Sequence, residues 1–427
     1  MSAAAFSTIF IVFVFAALAW RTWLGIRQVR HVARHQDAVP ADFAPYITLE
    51  AHRKAADYTL DKQRVGLAET LLADGGLLLA LTVGGGVAAI DQLSQRAFGE
   101  GYLRDLATVF GVMLVTTLFA LPFDAWRTFA IETRHGFNRT TPKLFMLDLL
   151  KGAALAIALG TPLLLAVFWL VQAAGPLWWF YTWIAWIAFT LVLVMVFPRW
   201  IAPLFNRFTP LEEGSLRRRI EALIERCGFH PEGLFVMDGS RRSSHGNAYF
   251  TGFGTHKRIV FFDTLIERLT PSEIEAVLAH ELGHFARGHI PRLLAVRFAL
   301  ALVLLGILGW LYREPAFYQS LGLAEPHIGA ALAAFALIVP VFTFPFQPLA
   351  SLIARKQEFE ADAYAAKHAS ATDLVSALAK LYRDNASTLT PDPLHSLVYD
   401  SHPPAALRID HLRRVREAPS QTQDDLS

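Results

Sequence analysis

Two histidines four residues apart, His280 and His284, with a glutamate directly after the first, Glu281, form the segment His-Glu-Leu-Gly-His. Successive residues of a helix turn by about 100°, so side chains four apart lie about 40° from each other on one face. Both imidazoles can then ligate one divalent ion, and zinc is the metal that such a pair holds for hydrolysis. Glu281 projects beside that ion rather than onto it, where a carboxylate can take a proton from water. A buried helix with two internally hydrogen-bonded histidines fits the same residues, because Leu278 and Leu282 suit a core face.

The helix that must carry this motif is marked by its own start. Thr270 is an N-cap residue, Pro271 fits the first helical position and Glu273 completes a T-x-x-E capping box, so a helix is predicted from Pro271 to Ala286. Two histidines leave zinc one ligand short of the usual three plus water. His289 is near in sequence, but on a continuous helix it would point about 140° from the ligand face. Arg287 and Ile290 stand where a metzincin would need glycine and histidine, so His289 is assigned to the membrane surface. The segment Arg355–Tyr364 offers Glu358 and Asp362, four apart and on one helical face. One carboxylate can ligate zinc while the other orients a ligating histidine through its second ring nitrogen. A solvated, charged helix end is the competing reading.

These residues sit in a chain of 427, of which 54% are hydrophobic and 18% charged. Soluble domains carry about a quarter charged residues, so the composition places the chain in a membrane. Apolar runs long enough to cross a bilayer are predicted near 3–20, 67–90, 107–123, 153–171, 178–197, 293–312 and 328–349, which makes seven spans. Arg21, Arg27, Arg30 and Arg34 follow the first run, and Arg127, Arg134, Arg139, Lys143 and Lys151 fall between the third and fourth. The positive-inside rule then puts the N-terminus outside and the large basic loops in the cytoplasm. Asp74, Asp124 and Arg297, at or near spans, are costly unless they face a cavity or the interface. A net charge of +2 without a basic stripe argues against nucleic acid as a partner. The single cysteine, Cys227, excludes an intramolecular disulfide and a thiolate metal cluster, and reads as a small core residue.

The expected organisation is five spans and their loops over 1–197, a cytoplasmic metalloprotease domain over 198–290, spans six and seven over 291–353, the C-terminal part of the protease domain over 354–418, and a disordered polar tail over 419–427. Within the protease part, 211–227 has helical periodicity, Leu234–Met237 and Arg258–Phe262 read as short strands, and Gly252–Gly254 as a turn.

H-E-L-G-H, a membrane span and then E-F-x-A-D together resemble the membrane gluzincin proteases, which include the HtpX heat-shock protease and the type I CAAX prenyl protease family. The prenyl protease branch is resembled further by R-H-G-F-N-R-T-T (134–141), I-A-P-L-F-N-R-F-T-P-L (201–211), S-S-H-G-N-A-Y-F-T-G-F-G (243–254), K-R-I-V-F-F-D-T-L (257–265) and S-H-P-P (401–404). These segments cover most of the chain from 134 to 408. The length and seven spans also fit that branch, whereas HtpX is similar to a shorter, four-span version.

The resemblance implies an all-α integral membrane protein whose seven transmembrane helices enclose a chamber, joined to a small α+β zinc metalloprotease domain. It implies one zinc ion held by His280, His284 and Glu358, with Glu281 as general base and Asp362 as the partner of a ligating histidine. His402 and Arg408, which match the family's H-P-P-x-x-x-R, would stabilise the oxyanion or hold substrate near it. Asn247, Ala248 and Tyr249 resemble the family's substrate-binding edge strand, a mode that uses backbone rather than particular side chains. An ordinary strand in a small sheet is the other reading of those three residues. His135 and His245 are assigned structural roles.

The expected function is zinc-dependent hydrolysis of peptide bonds at a membrane. By resemblance the substrates are peptides or proteins ending in a CAAX motif whose cysteine carries an isoprenoid. The Ala- and Arg-rich composition points to a bacterial inner membrane, where prenylated proteins are not the obvious clients. A quality-control protease for misfolded or stalled membrane proteins therefore stands as the alternative, and a non-catalytic membrane scaffold as a minor one. The sequence leaves the oligomeric state open.

Overall fold

The computed structural model describes residues 2–251 and 258–417. The turn expected at Gly252–Gly254 and the tail from 419 lie outside the described residues. Among those described, six helices are long and apolar enough to cross a bilayer: Ala3–His35, Tyr102–Glu132, Pro142–Ala173, Gly175–Phe205, His289–Leu311 and Ile328–His368. A seventh span is reached when the bent pair Leu49–Leu81 and Gly86–Phe98 is taken as one.

That second span is not the straight helix expected over 67–90. It begins at Leu49 and bends by 55° at a break before Gly86. Three consecutive glycines cause the break. Gly85 has φ of 78°, and a Cβ on Gly84 or Gly86 would stand 2.7 or 2.9 Å from the Ala80 carbonyl oxygen. Such a chain cannot continue as an α-helix with ordinary side chains. Asp74, on the first arm, pairs with Arg21 at 2.7 Å. Both line a cavity of ≈ 680 Å³ between the spans. Asp124 pairs with Arg127 at 3.2 Å. Both of these acids thus have a cation beside them, whereas Arg297, within His289–Leu311, is exposed.

The first helix also outruns its apolar stretch. Its 33 residues reach about 50 Å against about 30 Å of hydrocarbon, so the last turns project beyond the bilayer. There Arg27 donates two hydrogen bonds, of 3.3 and 2.9 Å, to the buried carboxylate of Asp392. The start of the chain is thereby tied to its C-terminal part.

Outside the spans, β1 (Phe208–Pro210), β2 (Gly233–Met237), β3 (Ala248–Thr251) and β4 (Arg258–Phe262) form one sheet in the order β1-β2-β4-β3. β2 and β4 are parallel, and each outer strand is antiparallel to its neighbour. The two inner strands match the expected ones. β1 has no sequence signal of its own, being three residues that end in proline. One core unites Ile259 and Phe261 of β4, Ile220 and Leu223 of the helix Ser215–Arg226, Leu278 and Leu282 of the His-Glu-Leu-Gly-His helix, and Leu374, Leu378, Ile409 and Leu412 from beyond the last span. Cys227 is half-buried against it. Burial of those last four side chains holds the C-terminal segment against the sheet.

Candidate active site

The motif helix runs from Pro271 to Ala286, and its capping box forms. Thr270 N–H donates to Glu273 Oε2 at 2.8 Å, and Glu273 N–H to Thr270 Oγ1 at 3.4 Å. The Glu273 carboxylate also accepts from Ser376 Oγ at 2.7 Å and Lys380 Nζ at 2.8 Å, which fixes the rotation of the helix. The helix Gln347–His368 crosses it closely. At Gly283 an added Cβ would lie 2.9 Å from Ala361 Cα, so only glycine permits this approach. The crossing sets Glu358 opposite the two histidines.

Three donor atoms then face one point. His280 Nε2 and His284 Nε2 are 3.3 Å apart, and the Glu358 carboxylate lies 3.5 Å from the first and 3.4 Å from the second. Ligands about 2.0–2.1 Å from a tetrahedral ion stand about 3.3 Å from one another, so the set fits zinc. Glu358 Oε2 is buried without a hydrogen bond from the described residues, a deficit that a bound cation removes. The reading of Glu358 as part of a solvated helix end fails because the residue is buried.

Each of the two histidines has a partner on its other nitrogen. His280 Nδ1 lies 2.8 Å from Asp362 Oδ1. Asp362 is in turn held by Arg408, whose Nε and Nη2 donate at 2.9 and 2.6 Å. Burial and the Arg408 charge disfavour protonated His280, but the carboxylates of Asp362 and Glu358 beside it outweigh them and push its pKa up to about 9. His284 Nδ1 lies 2.9 Å from His289 Nδ1, and His289 Nε2 lies 3.0 Å from Glu360 Oε2. With Nε2 of His284 turned to the other donors, its Nδ1–H donates to His289, and His289 donates onward to Glu360.

His289 is therefore not a membrane-surface residue; it is 2% exposed. The helical count that turned it away assumed an unbroken helix. The helix instead stops at Ala286, and Gly288, at φ of 66°, redirects the chain before the next helix begins at His289. Glu360 has no sequence signal of its own beyond lying between Glu358 and Asp362 in the same charged segment.

Asn247, Ala248, His280, Glu281, His402 and Arg408 line one cavity of ≈ 420 Å³. Burial raises the pKa of Glu281, opposed by the nearby His280 and His284. That shift moves a carboxylate toward the range useful for proton transfer at neutral pH. His402 is largely exposed, and its Nδ1 stands 2.7 Å from Glu358 Oε2 without the direction of a hydrogen bond. Arg408 is buried behind the donors, with Nη1 3.4 Å from Glu358. The two residues that the resemblance grouped together thus stand in different layers.

Three of the other segments of the resemblance meet one another. Arg139 N–H donates to Arg242 C=O at 3.0 Å and Ser244 N–H to Phe137 C=O at 3.1 Å. The Arg242 guanidinium holds Asp148 at 2.8 and 2.9 Å and Asn206 at 2.6 Å. His135 is buried 3.1 Å from Asp61. Tyr249 belongs to β3 and packs edge-on against Phe262.

A two-histidine, one-glutamate cluster beside a cleft, with the histidines on a helix just before one membrane span and the glutamate on the extension of another, defines a membrane metallopeptidase. Residues 28–207 match the family model described as CAAX prenyl protease N-terminal, five membrane helices, and residues 210–416 match peptidase family M48. The chain is 36% identical over 411 residues to the CAAX prenyl protease 1 homolog of Arabidopsis thaliana, covering 93% of this chain and 95% of that one. It is 31% identical over 462 residues to the Homo sapiens homolog, covering 95% of each. The crystal structure of S. mikatae Ste24p aligns with a TM-score of 0.89 at 31% identity, over 95% of this chain and 98% of that chain. The chain belongs to the CAAX prenyl protease 1 family of M48 peptidases and is a multi-pass membrane zinc endopeptidase.

Proposed function

We propose that His280, His284 and Glu358 hold one zinc ion, that Glu281 is the general base, and that substrates lie along β3 at Asn247, Ala248 and Tyr249. The natural substrates are proteins whose C-terminal CAAX cysteine carries an isoprenoid. One observation carries this reading: Glu281, His280 and the start of β3 line the same cavity. When bound, zinc supplies Lewis acidity that polarises a carbonyl and acidifies water. Glu281 takes a proton from the attacking water and passes it to the leaving amine as the C–N bond breaks. The hydroxyl ends on the acyl carbon, so no covalent enzyme intermediate forms. Asp362 keeps His280 in one tautomer and orientation. His402, at the cavity wall, donates to the oxyanion of the tetrahedral intermediate. Arg408 is engaged by Asp362 and Glu358 and acts by positioning them.

The cavity between the spans supports the lipid part of the substrate. Leu18, Leu78, Leu300 and Val341 line it, as does Ala350 of the helix that carries Glu358. The loop charges support an N-terminus outside and a cytoplasmic catalytic site, and the Ala- and Arg-rich composition supports a bacterial inner membrane. Recognition through the β3 backbone also favours a second reading, quality control of misfolded membrane proteins, because it demands no particular sequence. The test compares a farnesylated CAAX peptide, its unfarnesylated form and an unfolded membrane protein on the zinc-loaded protein. The farnesylated peptide is expected to lose its C-terminal tripeptide with kcat/KM about tenfold or more above the unfarnesylated one. Preference for the unfolded protein would transfer the assignment to quality control, and hydrolysis of none would defeat the proposed chemistry.

A further inference from the structure

Among the described residues β3 is an outer strand of the sheet, and its edge ends against a side-chain amide. The Asn247 carbonyl accepts from Phe262 N–H at 3.0 Å and so faces β4. By the alternation of an antiparallel ladder, Ala248 and Phe250 turn their backbone groups to the outer edge. Gly246, the next residue of that outward row, has both of its groups taken. Its N–H donates to Asn385 Oδ1 at 3.1 Å, and its C=O accepts from Asn385 Nδ2 at 3.3 Å. An amide making this pair of bonds stands where a peptide group of an added strand would pair.

Asn385 is fixed from several sides. It is the C-cap of the helix Ala371–Asp384, and the chain then turns at Ala386, a buried alanine with φ of 45°. A non-glycine residue keeps this conformation only where its surroundings over-determine it. His245 Nδ1 lies 3.3 Å from Asn385 Oδ1, the His245 ring stacks on Phe137 at 4.4 Å, and its Nε2 is 3.4 Å from Glu132. Asn385 and Gly246 also line the cavity that holds Glu281.

We infer that Asn385 is an end stop for the substrate strand, so that backbone pairing past the scissile bond finishes at Ala248. The inference rests on the proposal that β3 binds substrate. Antiparallel addition is the commoner mode of pairing and repeats that of β3 with β4. The substrate then runs C-terminally toward Gly246. Residues beyond that point find no free ladder and gain no backbone recognition.

The test uses full-length, zinc-loaded protein and quenched fluorescent peptides with one to eight residues after a common scissile bond. In the wild type, kcat/KM should rise over the first few residues and then stay level. In Asn385→Ala, the freed N–H and C=O of Gly246 can pair, and peptides beyond that plateau should gain about three- to tenfold relative to the shortest peptide of the same variant. Asn385→Asp keeps the acceptor and loses the donor, should give a smaller gain, and decides the matter if the alanine variant does not fold. An active variant with the wild-type plateau would overturn the end stop. So would a gain on N-terminal rather than C-terminal extension, since the substrate would then run parallel to β3. Failure of the wild type to cleave any peptide would instead defeat the proposed function.

Discussion

Two buried charge clusters, built from the same chemistry, differ in one respect that separates scaffold from site. In the first, between the second and third spans, Arg104 donates to Asp91 through Nε at 3.1 Å and Nη2 at 2.6 Å, and to Glu100 through Nη1 at 2.7 Å. Thr108 Oγ1 adds a bond to Asp91 at 3.1 Å, and Asp105 accepts from Gly329 N–H at 2.9 Å. The arginine and the acids around it all have partners. In the second, Arg408 holds Asp362 with the same two-bond geometry, at 2.9 and 2.6 Å, and Asp362 holds His280. There the polar atoms do not close on themselves. Two imidazole nitrogens and one carboxylate converge, and Glu358 Oε2 has no hydrogen bond from the described residues. A buried arginine–carboxylate pair is thus the common frame; three donor atoms converging on one point distinguish the second frame as one that could hold a metal ion.

The sharpest break of this comparison comes from within the open cluster. Glu281→Gln should keep fold and zinc, because the amide has nearly the same volume and is no ligand. It should lower kcat by about 10²–10⁴, because it cannot accept the water proton. Near-normal turnover in metal-loaded protein would remove Glu281 from the mechanism.

Next come the two arginines. Arg408→Ala and Arg104→Ala each strand a buried carboxylate, a loss that typically costs about 3–5 kcal/mol. Both should lower Tm. Arg408→Ala should also lose zinc, whereas Arg104→Ala that remains folded should keep its metal content. Equal zinc loss in both would erase the distinction between the clusters.

A smaller effect separates the two histidine partners. His289→Ala should weaken zinc binding by about 10–100-fold in a chelator competition, as lost outer partners of ligating histidines do. An unchanged affinity would make the His284–His289 contact incidental.

The mildest perturbation is pH. His280 in the metal-free protein has its pKa raised from 6.5 to about 9. The stabilisation that this shift gives the metal-free fold is complete below 6.5 and lost as pH rises through 9. Zinc must displace that proton, so its apparent affinity should rise about tenfold per unit toward pH 9 and level off above it. A flat profile between pH 7 and 9 would contradict the His280–Asp362 geometry.

The motif helix was legible in full because its signals are local. Thr270, Pro271 and Glu273 cap it within one turn, and the spacing of His280 and His284 sets their common face. The apolar runs and the inner strands β2 and β4 were legible for the same reason, since hydropathy and β-branched content act over neighbouring residues. Three things were not. The glycine break before Gly86 falls inside an uninterrupted apolar run, which reports membrane affinity and not direction. His289 was misplaced because one left-handed residue, Gly288, resets the helical phase. Asn385 carried no signal, being a helix C-cap whose partner Gly246 is 139 residues away in sequence. Residue types and spacing therefore determined which groups could bind zinc and move a proton. Which carboxylate faces the histidines was decided by the crossing of two helices at Gly283, a contact between segments with two membrane spans between them, which no local interaction encodes.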